Sequence, residues 1–294
     1  MPIARLIADM DGLSARLDAA LAELEASGIK VARAGLLDAN GEVVQIAATG
    51  GDAAQMRSVI DKSFGSADVL VADEPIAAPQ LFVSDMDSTM IGQECIDELA
   101  DFAGVKDRVA AITERAMAGE LDFAGALRER VALLEGLDES AIAQCLEERI
   151  RPMGGARTLL AGLKARGCRC VLVTGGFHHF ADPVAEMLGF DRVVANRLGV
   201  AGGKLTGEVV GPICDSATKR DTLEEEAAAI GDAAITLAMG DGANDIPMLE
   251  AATYGIAYHA KAKARAAADG WIERGDLTNA LALLGLSQHD GANA

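Results

Sequence analysis

At 294 residues the chain is long enough for one large or two smaller domains with a buried core. Lys and Arg number 26 against 45 Asp and Glu, a formal charge of −19, which argues against nucleic acid or an anionic membrane as partner because either needs a basic patch. No run approaches the ~20 apolar residues of a membrane span, the N-terminus carries no basic-then-apolar leader, and five cysteines are an odd number; the expected compartment is a reducing cytoplasm.

The first 74 residues predict a βαββαβ unit. A strand at Ile3–Ala8 leads to a helix at Leu13–Ser27, with Leu13, Leu17, Ala20, Leu21 and Leu24 on one face. Strands at Lys30–Leu37 and Glu42–Ala47 flank Asp38-Ala-Asn-Gly41, a hairpin signal. A helix at Ala53–Phe64 and a strand at Asp68–Ala72 complete a split-βαβ order. Residues 75–80, within an aperiodic stretch holding Pro75 and Pro79, read as a linker. A buried strand follows at Leu81–Ser84. Then comes a helical block with candidate helices at Gln93–Phe102, Lys106–Ala118, Phe123–Leu134 and Ser140–Arg149, punctuated by Gly104, Gly119 and Gly136. From Arg157 helices and apolar strands alternate: helix 157–166, strand 169–173, helix 178–188 and strand 191–195. A hairpin near 198–210, helix 216–230, strand 235–239, helix 244–251 and strand 254–257 complete the series. That alternation predicts an α/β parallel sheet covered on both faces, with the helical block inserted after its first strand. Cys168 and Cys170 fall on one face of a strand, where core packing is favoured over a metal clip.

In open α/β sheets ligands gather at the carboxyl ends of strands. Four strings stand there: Asp85-Met-Asp-Ser-Thr89, Thr174-Gly-Gly-Phe177, Lys219 and Gly240-Asp-Gly-Ala-Asn-Asp245. Asp85 and Asp87 can reach one site at a strand tip, and a carboxylate can attack phosphorus to split one displacement into two. Two anions facing a phosphate call for a hard cation such as Mg²⁺, for which Asp241 can supply a further ligand and Asp245 its support. Thr174 offers a hydroxyl, Gly175 and Gly176 let main-chain N–H groups approach phosphate oxygens, and Lys219 is a point cation. Taken singly, each string also fits a turn, a helix cap or a solvated side chain.

The ordered set resembles the haloacid dehalogenase superfamily of phosphatases over about residues 80–285. The resemblance implies a Rossmann-like core at 81–92 and 151–285, a helical cap at 93–150 and a tail at 286–294. It implies Asp85 as nucleophile, Asp87 as general acid/base, Mg²⁺ held by Asp85, Asp87 and Asp241 with Asp245 behind them, and Thr174, Gly175, Lys219 and Asn244 on the phosphate. Asp9-Met-Asp11 looks similar but has Leu13 where the later motif has Thr89, and is assigned to a turn. Within the insertion, Glu94 and the segment Phe123-Ala-Gly-Ala-Leu-Arg-Glu-Arg130-Val-Ala-Leu-Leu-Glu-Gly136 are similar to the phosphoserine phosphatase branch. That likeness implies O-phospho-L-serine as substrate, Glu94 on its ammonium, Arg130 on its carboxylate and Phe123 packed over it. Without the segment match, Glu94 and Arg130 fit a helix first turn and a surface ion pair. Two departures stand: Thr174 replaces the more usual Ser, and His178-His179 follows Phe177 with no chemistry assigned. The N-terminal pattern is similar to ACT-type regulatory domains, which implies a homodimer through that unit. Rival expectations are phosphotransfer to homoserine, a promiscuous phosphomonoesterase and, from another class, an amino-acid sensor.

Overall fold

Strands and helices share the computed structural model, which describes residues 1–37, 43–117 and 119–286. The predicted Asp38–Gly41 turn and the tail from 287 onward lie outside the described residues. β1 (Ile3–Ile7), α1 (Leu13–Ala26), β2 (Val31–Leu36), β3 (Val44–Ala48), α2 (Ala53–Phe64) and β4 (Asp68–Ala72) follow the expected βαββαβ order. Their strands pair antiparallel in the order β2-β3-β1-β4, the split-βαβ arrangement. α2 shows why these segments fold locally. Asp52 caps it by accepting from Ala54 N at 2.8 Å, and Met56, Val59, Ile60 and Phe64 bury one stripe against the sheet.

The second unit starts at β5 (Leu81–Ser84). Its chain leaves for α3 (Cys95–Phe102), α4 (Lys106–Met117), α5 (Phe123–Ala132) and α6 (Ser140–Glu148), and returns through α7 (Ala156–Lys164). β6 (Arg169–Phe177), α8 (His178–Leu188), β7 (Arg192–Asn196) and the hairpin β8 (Leu198–Ala201) and β9 (Lys204–Val209) come next. α9 (Ser216–Ile230), β10 (Thr236–Gly240), a single 3₁₀ turn at Ala243–Asp245, α10 (Ile246–Ala251), β11 (Tyr254–Tyr258), α11 (Ala262–Ala267), β12 (Gly270–Ile272) and α12 (Thr278–Leu284) complete it. Strands β12-β11-β10-β5-β6-β7 lie side by side and parallel, as the apolar runs predict. The four inserted helices stand on a neck where Ile91 and Pro152 bridge. The β8–β9 hairpin props them from below: Gly136 N donates to Leu205 O and Leu205 N to Leu137 O, both at 2.9 Å.

The two units are not separate bodies. β4 pairs antiparallel with β12, so ten strands form one sheet from β2 to β7. Side-chain alternation then carries each core across the joint. Leu70 and Phe82 face one side, with α7, α8 and α12, while Val69, Val71, Leu81 and Val83 face the other, with α1, α2 and α9. The sequence suggested two self-contained patterns, because β12 is only Gly-Trp-Ile and carries no periodicity. Gly270 is what lets β4 approach: a Cβ there would sit 2.3 Å from Val69 O. β6 also runs four residues further than predicted, to Phe177, with its pairing to β7 interrupted between Val173 and Phe177.

Candidate active site

β5 and β10 are neighbours in register, and Asp85 N continues their ladder by donating to Met239 O at 3.0 Å. Asp85 and Asp241, the residues just past the two strands, therefore share one end of the sheet. Lys219 reaches them from α9, whose first turn is fixed by a reciprocal capping box between Asp215 and Thr218. Its ammonium is only 1% exposed and bridges two carboxylates, 2.8 Å from Asp85 Oδ1 and 2.6 Å from Asp245 Oδ1. Asp85 Oδ1 also accepts from Met86 N at 2.8 Å, and Asp245 Oδ2 accepts from Asp241 N and Gly242 N at 3.1 and 3.0 Å. Both oxygens of Asp245 are thus committed, whereas Asp85 keeps Oδ2 free.

Charge in this corner is out of balance. Carboxylate oxygens of Asp85, Asp241 and Asp245 lie within 4.8 Å of one another. Burial, and then the Asp245 charge, push Asp85 up to about 7 despite Lys219, and the same two causes push Asp241 up to about 6. Burial alone would lower Lys219, but Asp245 and Asp85 outweigh it and hold the ammonium ionised. Three carboxylates with one buried cation are a donor set short of positive charge and built of oxygen alone, which fits a hard divalent ion. Asp85 and Asp241 are the pair with capacity to hold it. Asp87, expected beside them, turns its carboxylate elsewhere: Oδ2 accepts from Cys95 N at 3.3 Å, at the start of α3, and buried Oδ1 has no partner. Burial, then Glu94 and Asp85, raise its pKa well above the usual carboxylate range.

One cavity of about 280 Å³ gathers the predicted residues: Asp85, Asp87, Glu94, Phe123, Arg130, Thr174, Gly175, Asp241 and Asn244 all line it. Lys219 and Asp245 lie behind its floor, against Asp85. The cap end is anchored by Ser88, whose φ of 56° is unusual for a residue with a side chain, and whose Oγ donates to Glu94 Oε1 at 2.8 Å. Across from Glu94, Arg130 is lowered by burial and supported by the charges of Asp97 and Glu94. Phe123 closes the cavity from the cap side. A Cβ on Gly175 would lie 3.0 Å from its Cζ, so the aromatic edge rests on bare backbone.

Sequence reasoning missed several members. Ile96, Thr113, Leu127 and Lys261 also line the cavity; Leu127 falls within the quoted Phe123–Gly136 segment, whereas Ile96 and Thr113 are ordinary helix residues with no motif to mark them. Asn196 is a different case. It is buried at the end of β7, where Nδ2 donates to Gly175 O at 2.8 Å and Cys214 O at 3.3 Å, and Oδ1 accepts from Cys214 N at 2.8 Å. One carboxamide therefore ties the Thr174–Gly176 segment to the approach of α9. The signal was present: a polar residue ending the apolar run Val193-Val-Ala195.

A family description agrees with this geometry. The profile of the haloacid dehalogenase-like hydrolases matches residues 82–250. The chain belongs to this family. It is 47% identical over 210 residues to a phosphoserine phosphatase of Albidiferax ferrireducens, a match spanning 69% of this chain and 89% of that one. Among solved structures, a haloacid dehalogenase-family hydrolase of Salmonella enterica serovar Typhi superposes with a TM-score of 0.82 at 26% identity, covering 97% of this chain and 99% of that one. A probable phosphoserine phosphatase of Vibrio cholerae, in an unliganded form, gives 0.75 at 32% identity, covering 100% and 89%. Such likeness makes the chain an enzyme of the family, and both superpositions take in the N-terminal unit as well as the core.

Proposed function

We propose that the chain hydrolyses O-phospho-L-serine to L-serine and phosphate through an aspartyl-phosphate intermediate. The observation that carries this reading is the division of one cavity into two chemistries. Its floor offers Asp85, Thr174 and Asn244 to a phosphate, while its cap side offers Glu94 and Arg130, one charge for an ammonium and one for a carboxylate. The names of relatives of this family, phosphoserine phosphatase and probable phosphoserine phosphatase, support the same substrate.

With Oδ1 held by Lys219 and Met86 N, Asp85 attacks phosphorus through Oδ2. The P–O bond to serine breaks, and Asp87 delivers its proton to the departing oxygen. Asp87 then takes a proton from water, whose oxygen attacks phosphorus and returns Asp85 as a carboxylate with release of phosphate. Thr174 Oγ1 and Asn244 face the non-bridging oxygens, whose charge Lys219 offsets from behind Asp85. Mg²⁺, held by Asp85 and Asp241, would supply the neutralising charge that lets a phosphate approach these carboxylates.

The βαββαβ unit at 1–74 supports an ACT-like assignment, and residues 93–150 a cap that excludes water from the intermediate. All five cysteines are unpaired and buried, in keeping with work in a reducing cytoplasm. No helix among the described residues is long and apolar enough to cross a membrane. The deciding experiment measures phosphate release from L-phosphoserine, phosphoethanolamine, p-nitrophenyl phosphate and small sugar phosphates, with and without homoserine as acceptor. Selectivity for L-phosphoserine with stoichiometric free phosphate is expected. Equal kcat/KM across the panel, or phosphate captured by homoserine, would overturn the proposal in favour of a promiscuous phosphatase or a phosphotransferase.

A further inference from the structure

The short helix α11 touches both the catalytic cavity and the N-terminal unit. At its start, Lys261 lines the cavity; its N donates to Asp241 O at 2.9 Å and its Nζ stands 3.8 Å from Asp241 Oδ2. At its far end, Arg57 of α2 donates to Ala266 O at 3.1 Å and to Ala268 O. Arg265, on the same helix, pairs with Asp61 of α2 through two bonds of 2.6 and 3.0 Å, and lies 4.0 Å over the ring of Trp271. α11 is six residues long, about 9 Å at 1.5 Å per residue, too short to bend between its two attachments. Where α2 holds the far end, the near end follows.

We propose that Lys261 is a further phosphate-binding residue of this site, and that Arg57 and Asp61 of the N-terminal unit are the residues that position it. The chemistry is plain. Asp85, Asp241 and Asp245 make the floor strongly anionic, and Lys219 is consumed by Asp85 and Asp245. Lys261 is the cation at the mouth, with its side chain 72% exposed and free to swing from Asp241 to an entering phosphate dianion. Its influence falls on any phosphate, whatever alcohol is attached. A unit assigned by its topology to regulation thereby acquires a mechanical role in the chemistry: its α2 sets where the mouth cation stands. This inference rests on the phosphate reading of the cavity and not on phosphoserine, so the test uses inorganic phosphate and p-nitrophenyl phosphate.

The experiment measures inorganic phosphate affinity by calorimetry in the presence of Mg²⁺, and p-nitrophenyl phosphate kinetics, on the full chain and its variants. Lys261→Ala should weaken phosphate binding and raise KM about three- to fivefold, the scale of an exposed charge pair, with kcat within about twofold. Lys261→Arg should restore both. Asp61→Asn and Arg57→Ala should each weaken phosphate binding in the parent chain and leave it unchanged in the Lys261→Ala background, since they act through that lysine. Wild-type phosphate affinity in Lys261→Ala would overturn the binding role. Wild-type affinity in both α2 variants, or equal losses in the two backgrounds, would overturn the positioning role. A parent chain that bound no phosphate would overturn the functional reading and this inference with it.

Discussion

Asp68 decides how firmly the two units are joined. It ends no motif and lies at the start of β4, yet it is fully buried and accepts four bonds from the other unit. Oδ1 takes Glu273 N and Arg274 N at 2.7 and 2.9 Å, and Oδ2 takes Gly275 N and Asn279 Nδ2 at 3.0 and 2.6 Å. Asp68→Ala strands three main-chain donors and a carboxamide in a partly buried loop. An orphaned donor costs about 1–3 kcal/mol, and some of these four can reach water, so a total of about 3–5 kcal/mol is expected. At an unfolding entropy of about 2 cal/mol/K per residue, a chain of this length loses about 5–8 °C in Tm for that cost. Asp68→Asn retains one acceptor oxygen and should lose about half as much. The assay is urea unfolding followed by tryptophan fluorescence and by far-ultraviolet circular dichroism. The single tryptophan, Trp271, sits in β12 with its Nε1 donating to Ala67 O at 2.8 Å, so it reports on the joint itself. Both signals should change together in the parent chain, and fluorescence should change first in Asp68→Ala. A loss below about 1 kcal/mol, or coincident transitions in the variant, would refute the argument that this carboxylate locks one continuous sheet.

Other tests address the chemistry. Arg130→Ala should cut kcat/KM for phosphoserine by about 2–4 kcal/mol, the loss for a desolvated charge partner, and barely affect p-nitrophenyl phosphate; equal losses on both substrates would assign Arg130 to cap folding or the phosphate. Glu94→Gln should harm phosphoserine and phosphoethanolamine alike, since both carry the ammonium, and kinetics on the pair will show whether it does. Asp87→Asn should still form a phosphoenzyme from a good leaving group but break it down slowly, which single-turnover trapping measures; rapid breakdown would mean another group activates water. In protein stripped of metal, Asp85 at about 7 and Asp241 at about 6 are raised above their unfolded values. The folded state then binds more protons than the unfolded one, so stability should fall as pH rises from about 5 to about 7. Adding Mg²⁺ should reverse that slope and restore turnover, and a chelated protein that stayed fully active would remove the metal from the reading.

What was legible in the sequence divides along a physical line. Parallel strands buried on both faces announce themselves as apolar runs, and Leu81–Ser84 and Thr236–Gly240 carry their chemistry in the next residue. Asp85, Asp241 and the capped helix bearing Lys219 were therefore found from local pattern plus one topological rule. Contacts made across the fold leave no such trace. Asp68 and Lys261 each act through partners distant in sequence, and β12 is too short to show a period. Asp87 illustrates the limit most sharply. Two residues from Asp85, it was expected to share a cation; yet the turn through Ser88 at positive φ directs its carboxylate toward the first N–H of α3. That separation has a chemical consequence. A carboxylate beside a divalent ion is held deprotonated, whereas Asp87, raised by burial and then by the charges of Glu94 and Asp85, keeps its pKa high even though the Cys95 N–H at the helix start lowers it. In the proposed mechanism, one strand end would thus supply both an anion to attack phosphorus and an acid to release the alcohol.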